Sequence, residues 1–269
     1  LDDTTWRLFG HLEWRASEHW LLQGGAMYED THLSGNSLTP RVAVNYLINP
    51  RHGLRAVYSE AIRSPDMFEN NVNWSYRVTN LSSPTYGQNA GQYFVVTRGP
   101  GNLDKELMRS RELGYNGFFA ELGLNVDVKL FYDEITDMIS SPLRNNQYIA
   151  SNANSSRFSG AESQFDWRVS DADRLRLTYA YVDATSSNPL DKAQTARNSG
   201  SAGWLREWGQ GWSSALFYYG DDALNQYRFQ RVDLRVAKRI AVGKTNVELA
   251  GMLQQRLDNQ PTTWADNNY

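Results

Sequence analysis

The sequence contains no cysteine. That excludes a disulfide scaffold, a thiolate zinc or iron–sulfur site and a cysteine nucleophile. It has no excess of one charge: 27 Lys and Arg stand against 30 Asp and Glu in 269 residues, a formal net charge of −3. No global field therefore draws the chain to nucleic acid, and no nucleic-acid partner is expected. No run of 18 apolar residues is present, so no segment reads as a transmembrane helix. An apolar signal-peptide core is also missing, and the first residue is Leu1 rather than Met, the pattern of a processed chain or a fragment. The lack of a helical span leaves crossing by β-strands open, because closed barrels also satisfy their backbone in lipid.

What the sequence does have is a period of two. Leu122, Leu124, Val126, Val128 and Leu130 alternate with Gly123, Asn125, Asp127 and Lys129. Trp6, Leu8, Gly10, Leu12 and Trp14 alternate with Arg7, Phe9, His11, Glu13 and Arg15. Similar runs occur at Leu175 to Tyr181, Val232 to Val236 and Thr245 to Leu253. Each is a strand with one apolar face. About twelve such strands are predicted, over 6–16, 21–31, 39–48, 53–62, 106–118, 121–135, 156–168, 174–184, 198–206, 212–219, 227–238 and 244–255. Strands of soluble domains usually have about 5–6 residues, whereas a tilted membrane-spanning strand needs about 9–11. The lengths favour an all-β, antiparallel transmembrane barrel over a soluble sandwich.

The predicted connections alternate as well. Short ones fall near 17–20, 49–52, 118–120, 169–173, 207–211 and 239–243; longer ones fall near 32–38, 63–105, 136–155, 185–197 and 220–226. Outer-membrane barrels have tight turns at the periplasmic end and long loops outside. Trp6, Trp14, Trp20, Tyr28, Trp167, Trp204, Trp208, Trp212, Tyr218 and Tyr219 lie near predicted strand ends, as interfacial girdles require. Twelve strands joined in this way begin and end at the long-loop end, and Thr262 to Tyr269 reads as loop. A complete bacterial barrel normally has both termini at the other end. The expectation is a piece of a longer barrel, lacking strands before Leu1 and at least one after Tyr269.

Catalytic signatures are scarce, and no enzyme, resident cofactor or metal is expected. His11, His19, His32 and His52 are scattered without HExxH or other ligand spacing, and there is neither a G-x-S-x-G elbow nor a Walker A loop. Glu13, Asp127 and Glu248 fall on polar strand faces, where solvated lining explains them better than acid–base work. Asn73-Trp74-Ser75, Asn80-Leu81-Ser82 and Asn154-Ser155-Ser156 read as loop composition rather than glycosylation signals. The segment 63–105 is the best candidate for function, since loops of that length are uncommon without one. It carries Phe68, Trp74, Tyr76, Tyr86, Tyr93 and Phe94 together with Arg63, Arg77 and Arg98. The aromatic rings suit a flat, partly apolar ligand, and the arginines suit its carboxylates or catecholates. Candidate ligand contacts are thus Arg63, Trp74, Tyr76, Arg77, Tyr86, Tyr93 and Arg98; the competing explanation is an ordinary loop whose aromatics cover its own backbone.

Four stretches carry a family resemblance. They are Leu38-Thr39-Pro40-Arg41 running into Val42 to Ile48 and on to Gly53-Leu54-Arg55-Ala56; Ala61-Ile62-Arg63-Ser64-Pro65 with Phe68-Glu69; Asn102-Leu103-Asp104-Lys105-Glu106 with Ser110-Arg111-Glu112-Leu113-Gly114-Tyr115; and Leu130-Phe131-Tyr132 through Ile135 to Ile139, Asn152-Ala153, Arg157-Phe158 and Ser159-Gly160-Ala161-Glu162. In this order and spacing the chain resembles the C-terminal part of the barrel of a TonB-dependent outer-membrane receptor. The resemblance implies about twelve strands of a twenty-two-strand barrel. It implies a parent protein that takes up a ferric siderophore or similar scarce ligand with TonB-derived energy. Its partners would be outer-membrane lipid, TonB through the plug of the parent, and the remaining barrel strands. Plug, TonB box and closing strand are not among these 269 residues.

Pro65, Glu69, Glu112, Gly114, Gly160 and Glu162 are family-like positions with structural explanations. Pro65 suits a strand exit, Arg63 can pair with Glu69 or Glu60 at the rim, and Glu112 can point inward to an arginine such as Arg55. Two other classes remain open on the residues alone. One is a stand-alone twelve-strand barrel acting as a passive pore or outer-membrane hydrolase; the other is a soluble β-rich binding protein.

Overall fold

A strand with one aliphatic face satisfies its backbone by pairing, and directly opposed residues then share a face. The computed structural model describes residues 4–78, 93–140, 147–187, 195–224, 227–243 and 245–258. The chain runs through β1 (Thr5–Arg15), β2 (Trp20–Thr31), β3 (Gly35–Asn49) and β4 (His52–Arg63). Helix α1 (Met67–Asn71) and strands β5 (Asn73–Val78) and β6 (Tyr93–Arg98) follow, then β7 (Glu106–Phe119) and β8 (Leu124–Ser140). After β9 (Gln147–Ile149) come β10 (Ser151–Arg168), β11 (Asp173–Ser186), β12 (Asn198–Gly209), β13 (Trp212–Leu224), β14 (Tyr227–Val242) and β15 (Thr245–Arg256). Twelve of these strands form one sheet in chain order, and all its neighbours are antiparallel; β5, β6 and β9 form a second, three-stranded sheet. The strands β1 and β15 lie at the two edges of the large sheet and are not paired with each other.

All twelve predicted strands are members of the large sheet. Several details differ from the sequence reading. The connection expected over 32–38 is a three-residue turn, held by the Ser34 amide donating to Thr31 Oγ1 at 3.1 Å, with Gly35 at a φ of +75°. The connection expected over 220–226 is likewise short, because β13 continues to Leu224 and β14 begins at Tyr227. There Asp221 and Asp222 accept backbone N–H groups of Phe229 and Arg197 at 3.0 and 2.7 Å. Only the connections after β4, β8 and β11 are long, so the strict alternation of short and long connections does not hold. At the opposite end, Leu122 belongs to the turn before β8, and its carbonyl accepts from Trp167 Nε1 at 2.9 Å.

Register sorts the side chains into two faces. One face carries Leu8, Leu12, Leu22, Val42, Val44, Leu54, Leu113, Val126, Val128, Leu130, Leu177, Leu216, Leu234, Leu249 and Leu253. These residues are exposed rather than packed: Leu8 is 73% exposed, Leu113 61% and Leu253 65%. Among the described residues the buried apolar ones are few: Ala43, Val57, Leu103, Ile139, Ala150 and Ala237. A soluble sandwich would bury such an aliphatic face against a second layer. Here it is a continuous outward belt, far larger than the patches soluble monomers tolerate.

Aromatic residues border the belt on the same face. Trp14, Trp20, Tyr46, Tyr115, Trp167, Trp204 and Trp212 stand near the tight turns; Trp6, Tyr28, Tyr58, Tyr132, Tyr179 and Tyr218 stand toward the other end. Eight residues separate Trp6 from Trp14, and eight separate Trp20 from Tyr28. At about 3.3 Å per residue that is about 26 Å along a strand, matching the ~25 Å apolar band of outer-membrane barrels before tilt.

The opposite face is polar and cross-linked. Arg55 donates to Glu112 at 3.4 Å, as the sequence suggested, and Lys129 reaches Glu162 at 2.9 Å. Arg174 and Arg176 both bond Asp166, and Glu248 takes Arg235 at 2.5 Å and Arg239 at 3.4 Å. His11, Glu13 and Asp127 lie on this face too, with Gln23 donating to Glu13 and Asn116 to Asp127. Each ion pair has at least one member more than a third exposed and contributes little alone, about 0–1 kcal/mol. Together they define the hydrated side of the wall.

The two family-like glycines on this face differ in their surroundings. A Cβ on Gly160 would stand 1.9 Å from the Tyr181 carbonyl and 2.9 Å from Phe131 Cζ. At Gly114 the nearest atoms would be 3.7 Å away or more, an ordinary contact. Gly160→Ala is therefore expected to destabilise by about 1–3 kcal/mol through overpacking, whereas Gly114→Ala costs less than about 1 kcal/mol. Thermal unfolding of the detergent-solubilised protein checks this, and equal midpoints for the two variants would refute the steric argument.

Candidate ligand-binding rim

Where β4 leaves the large sheet, Pro65 fixes φ and supplies no N–H, so the ladder cannot continue. Pro65 is buried, and Asp66 then caps α1. The Glu69 amide donates to Asp66 Oδ1 at 2.6 Å and the Asp66 amide to Glu69 Oε2 at 3.0 Å, a reciprocal capping box. The following hairpin of β5 and β6 is closed at its base by the Gly99 amide on the Val72 carbonyl and the Gly101 amide on the Asn70 carbonyl, both at 2.7 Å. β9 adds to β6 in parallel, setting Val96 opposite Gln147 and Arg98 opposite Ile149. Residues from two separate connections thus form one small sheet on the rim.

Arg63, the last residue of β4, anchors this assembly. Its Nη1 donates to both Glu69 oxygens at 3.0 and 2.9 Å, while Nε and Nη2 donate to the two Glu106 oxygens at 2.9 and 2.8 Å. The guanidinium therefore joins α1 to the start of β7. Of the two partners proposed from sequence, Glu69 is the actual one; Glu60 instead accepts from Tyr58 at 2.5 Å and pairs with Arg109 at 3.5 Å. Glu106 was not singled out by the sequence reading, and its Oε1 also accepts the Ile139 amide at 2.7 Å. Around this point Leu103, Ile139 and Ala150 form a buried apolar cluster, and buried Asn70 accepts the Leu103 amide at 2.9 Å. Asn152 accepts the Asp104 amide at 2.9 Å and donates to the carbonyls of Asp104 and Asp137 at 2.9 and 2.7 Å. On the other side Ser64 donates to Glu29 at 2.9 Å, Arg7 donates to the same carboxylate at 2.6 Å, and Lys105 reaches the Gly35 carbonyl at 2.6 Å.

The candidate ligand residues divide accordingly. Arg63 is at the base and fully engaged in structure, so a ligand would have to displace a carboxylate to reach it. Trp74, Tyr76, Arg77, Tyr93 and Arg98 belong to one hairpin, whose register sets Trp74 opposite Thr97, Tyr76 opposite Val95 and Val78 opposite Tyr93. Trp74 is 54% exposed, Arg98 is exposed and Thr97 is buried. Tyr86 lies outside the described residues. Among the described residues no group of three or more His, Asp or Glu side chains is placed to hold a metal ion. Of the candidate side chains on this hairpin, Trp74 and Arg98 are described, and both are exposed.

Replacing Arg63 leaves two carboxylates, Glu69 at 15% and Glu106 at 14% side-chain exposure, facing each other without their cation. Discounted for the half-exposed guanidinium, the expected loss is about 1–3 kcal/mol, confined to the rim. Limited proteolysis of Arg63→Ala should cut between residues 64 and 105 at least fivefold faster, with the barrel wall intact. Lysine at this position should restore only part of the protection, since it cannot reproduce two bidentate contacts. An unchanged cleavage rate would remove Arg63 from its anchoring role.

The family model for the β-barrel of TonB-dependent receptor-like proteins matches residues 1–254. Among solved structures, the chain resembles the siderophore receptor PirA from Acinetobacter baumannii at 13% identity and a TM-score of 0.68, over 89% of this chain and 40% of that one. It resembles a variant of the ferric enterobactin receptor PfeA from Pseudomonas aeruginosa, in complex with enterobactin, at 16% identity and a TM-score of 0.69, over 89% and 38% of the two chains. The copper transporter OprC gives 16% identity and a TM-score of 0.67, over 91% and 40%. The chain thus spans about two-fifths of the length of these receptors. No curated protein matches it in sequence. The outer-membrane location that goes with this family agrees with the apolar belt and its two aromatic borders. By its matched sequence and its fold, the chain belongs to the TonB-dependent receptor-like β-barrel family.

Proposed function

We propose that residues 1–269 are one part of the barrel domain of an outer-membrane receptor that captures a ferric siderophore or similar scarce ligand and takes it up with TonB-derived energy. In this reading the twelve-stranded sheet is about half of a twenty-two-strand barrel. The rest of the protein supplies the plug, which contacts TonB, and the remaining strands, including the closing one. The aliphatic belt faces lipid, the ion-paired face lines the lumen around the plug, and the small sheet of β5, β6 and β9 stands at the extracellular mouth. Trp74, Tyr76, Tyr86 and Tyr93 provide flat surface for aromatic groups of the ligand. Arg77 and Arg98 provide cationic donors for its oxygens.

The observation that carries this reading is the rim sheet fixed on a two-faced wall. Aromatic and cationic residues are collected on one hairpin, and that hairpin is tied to the sheet through Arg63, Glu69 and Glu106. A passive pore needs no such anchored platform, and a closed twelve-strand pore would need β1 paired to β15. A soluble binding protein would need the outward leucines buried. Ferric enterobactin is the natural first probe, because one solved relative is in complex with enterobactin. Changing Trp74, Tyr76 and Tyr93 together to Ala in the full-length receptor should weaken binding of that probe at least tenfold, with outer-membrane insertion unchanged. Wild-type affinity in the triple variant would dismiss the platform. Uptake that persists at full rate in cells lacking TonB would dismiss energised transport itself.

A further inference from the structure

On the lipid-facing side of β3, β4, β7 and β8, side-chain size varies sharply along one row. Val44, Ala56 and Leu113 are opposed in register, and the small Ala56 between the larger two leaves a depression. The resulting trough has a volume of about 480 Å³ and is lined by Val42, Val44, Ala56, Leu113 and Leu130. The next row toward the rim closes it: Tyr58, Arg111 and Tyr132 stand side by side on three adjacent strands. The Arg111 guanidinium carbon lies 5.9 Å from the Tyr58 ring centroid and 5.6 Å from that of Tyr132.

The charges around this point do not balance evenly. One row further out, Glu60 is taken by Arg109 at 3.5 Å and by the Tyr58 hydroxyl, and Glu134 by Arg157 at 3.1 Å. Among the described residues Arg111 itself makes no hydrogen bond and no ion pair, and its side chain is exposed. An unpaired cation above an apolar trough, held between two aromatic faces at the membrane border, lacks a counter-anion.

We propose that this surface is a binding site for one phosphorylated lipid of the leaflet at the rim end, its phosphate on Arg111 and one acyl chain in the trough below. The proposal rests on the reading that this face meets lipid. Guanidinium and phosphate are geometrically matched, and the contact strengthens as water is excluded by the neighbouring chains. The two tyrosine rings flank the guanidinium, and Glu60 and Glu134 in the next row are already engaged by Arg109 and Arg157.

Native mass spectrometry of the full-length receptor, released from detergent and titrated with phosphatidic acid, tests the site. Diacylglycerol with the same acyl chains tests the need for phosphate, and glycerol phosphate tests the need for a chain. Phosphatidic acid should bind wild type at least fivefold more tightly than Arg111→Ala, with Arg111→Lys between them. Diacylglycerol and glycerol phosphate should bind both proteins weakly and alike. Ala56→Leu fills the trough while keeping the Arg111 charge and should also weaken phosphatidic acid binding. Equal phosphatidic acid affinity in wild type and Arg111→Ala, in a receptor that inserts normally, overturns this site alone. Tight glycerol phosphate binding means a soluble anion site and overturns it too. A wild-type receptor recovered in soluble form rather than in outer-membrane fractions overturns both this site and the function on which it rests.

Discussion

Hydrocarbon offers no hydrogen-bond partner to a peptide group, and that single constraint organises the rest of this molecule. Each backbone group that crosses the apolar belt must be satisfied by an adjacent strand. Pairing then fixes register, and register fixes which side chains join the apolar face and which the ion-paired one. A slip of β7 by one residue against β8 would turn Leu113 to the polar face and push Glu112 to the apolar one, opposite Leu130. The inward charges add to this selection. Lys129 and Glu162, or Arg55 and Glu112, meet only in the observed alignment. Their contribution to stability is small, but each misalignment would leave a charge against lipid, and that cost is several kcal/mol near the bilayer midplane.

Above the belt the same strands obey different rules. Water reaches both faces there, so strands continue without aliphatic alternation, and side chains take over part of the backbone's hydrogen bonding. Asp221 and Asp222 hold the ends of β13, β14 and β12 in this way, and Asn152 serves three backbone groups around β7 and β8. The rim is therefore stabilised by a dispersed polar network with one focal cation. Arg63 matters because its planar fork reaches two carboxylates that belong to different segments of chain.

This contrast explains what the sequence discloses. All twelve spanning strands were legible because one face of each had to be apolar for about nine residues. Their rim extensions were not, since the alternation disappears where both faces are hydrated; hence the overlong connections assigned to 32–38 and 220–226. Helix α1 carried a readable signal, Asp66 followed three residues later by Glu69, which is the capping-box pattern. It escaped notice because five residues are too few to show a helical period. The pairings of Arg63 with Glu69 and Arg55 with Glu112 could be anticipated from the family-like motifs. Glu106 lies in a family-like stretch, but nothing in that stretch pairs it with Arg63, 43 residues away. The grouping of Trp74, Tyr76, Arg77, Tyr93 and Arg98 depends on a hairpin whose two strands are too short to be distinguished from loop by periodicity.

The parallel pairing of β6 with β9 has an implication for how such rims diversify. The excursion after β4 and the one after β8 share a sheet, so they do not form two independent modules. A recombination event that imported a foreign 64–105 segment alone would present β9 with a mismatched edge and strand its backbone groups. Successful grafts between receptors of this type should carry both segments as one cassette, and inherited variation in the two should travel together.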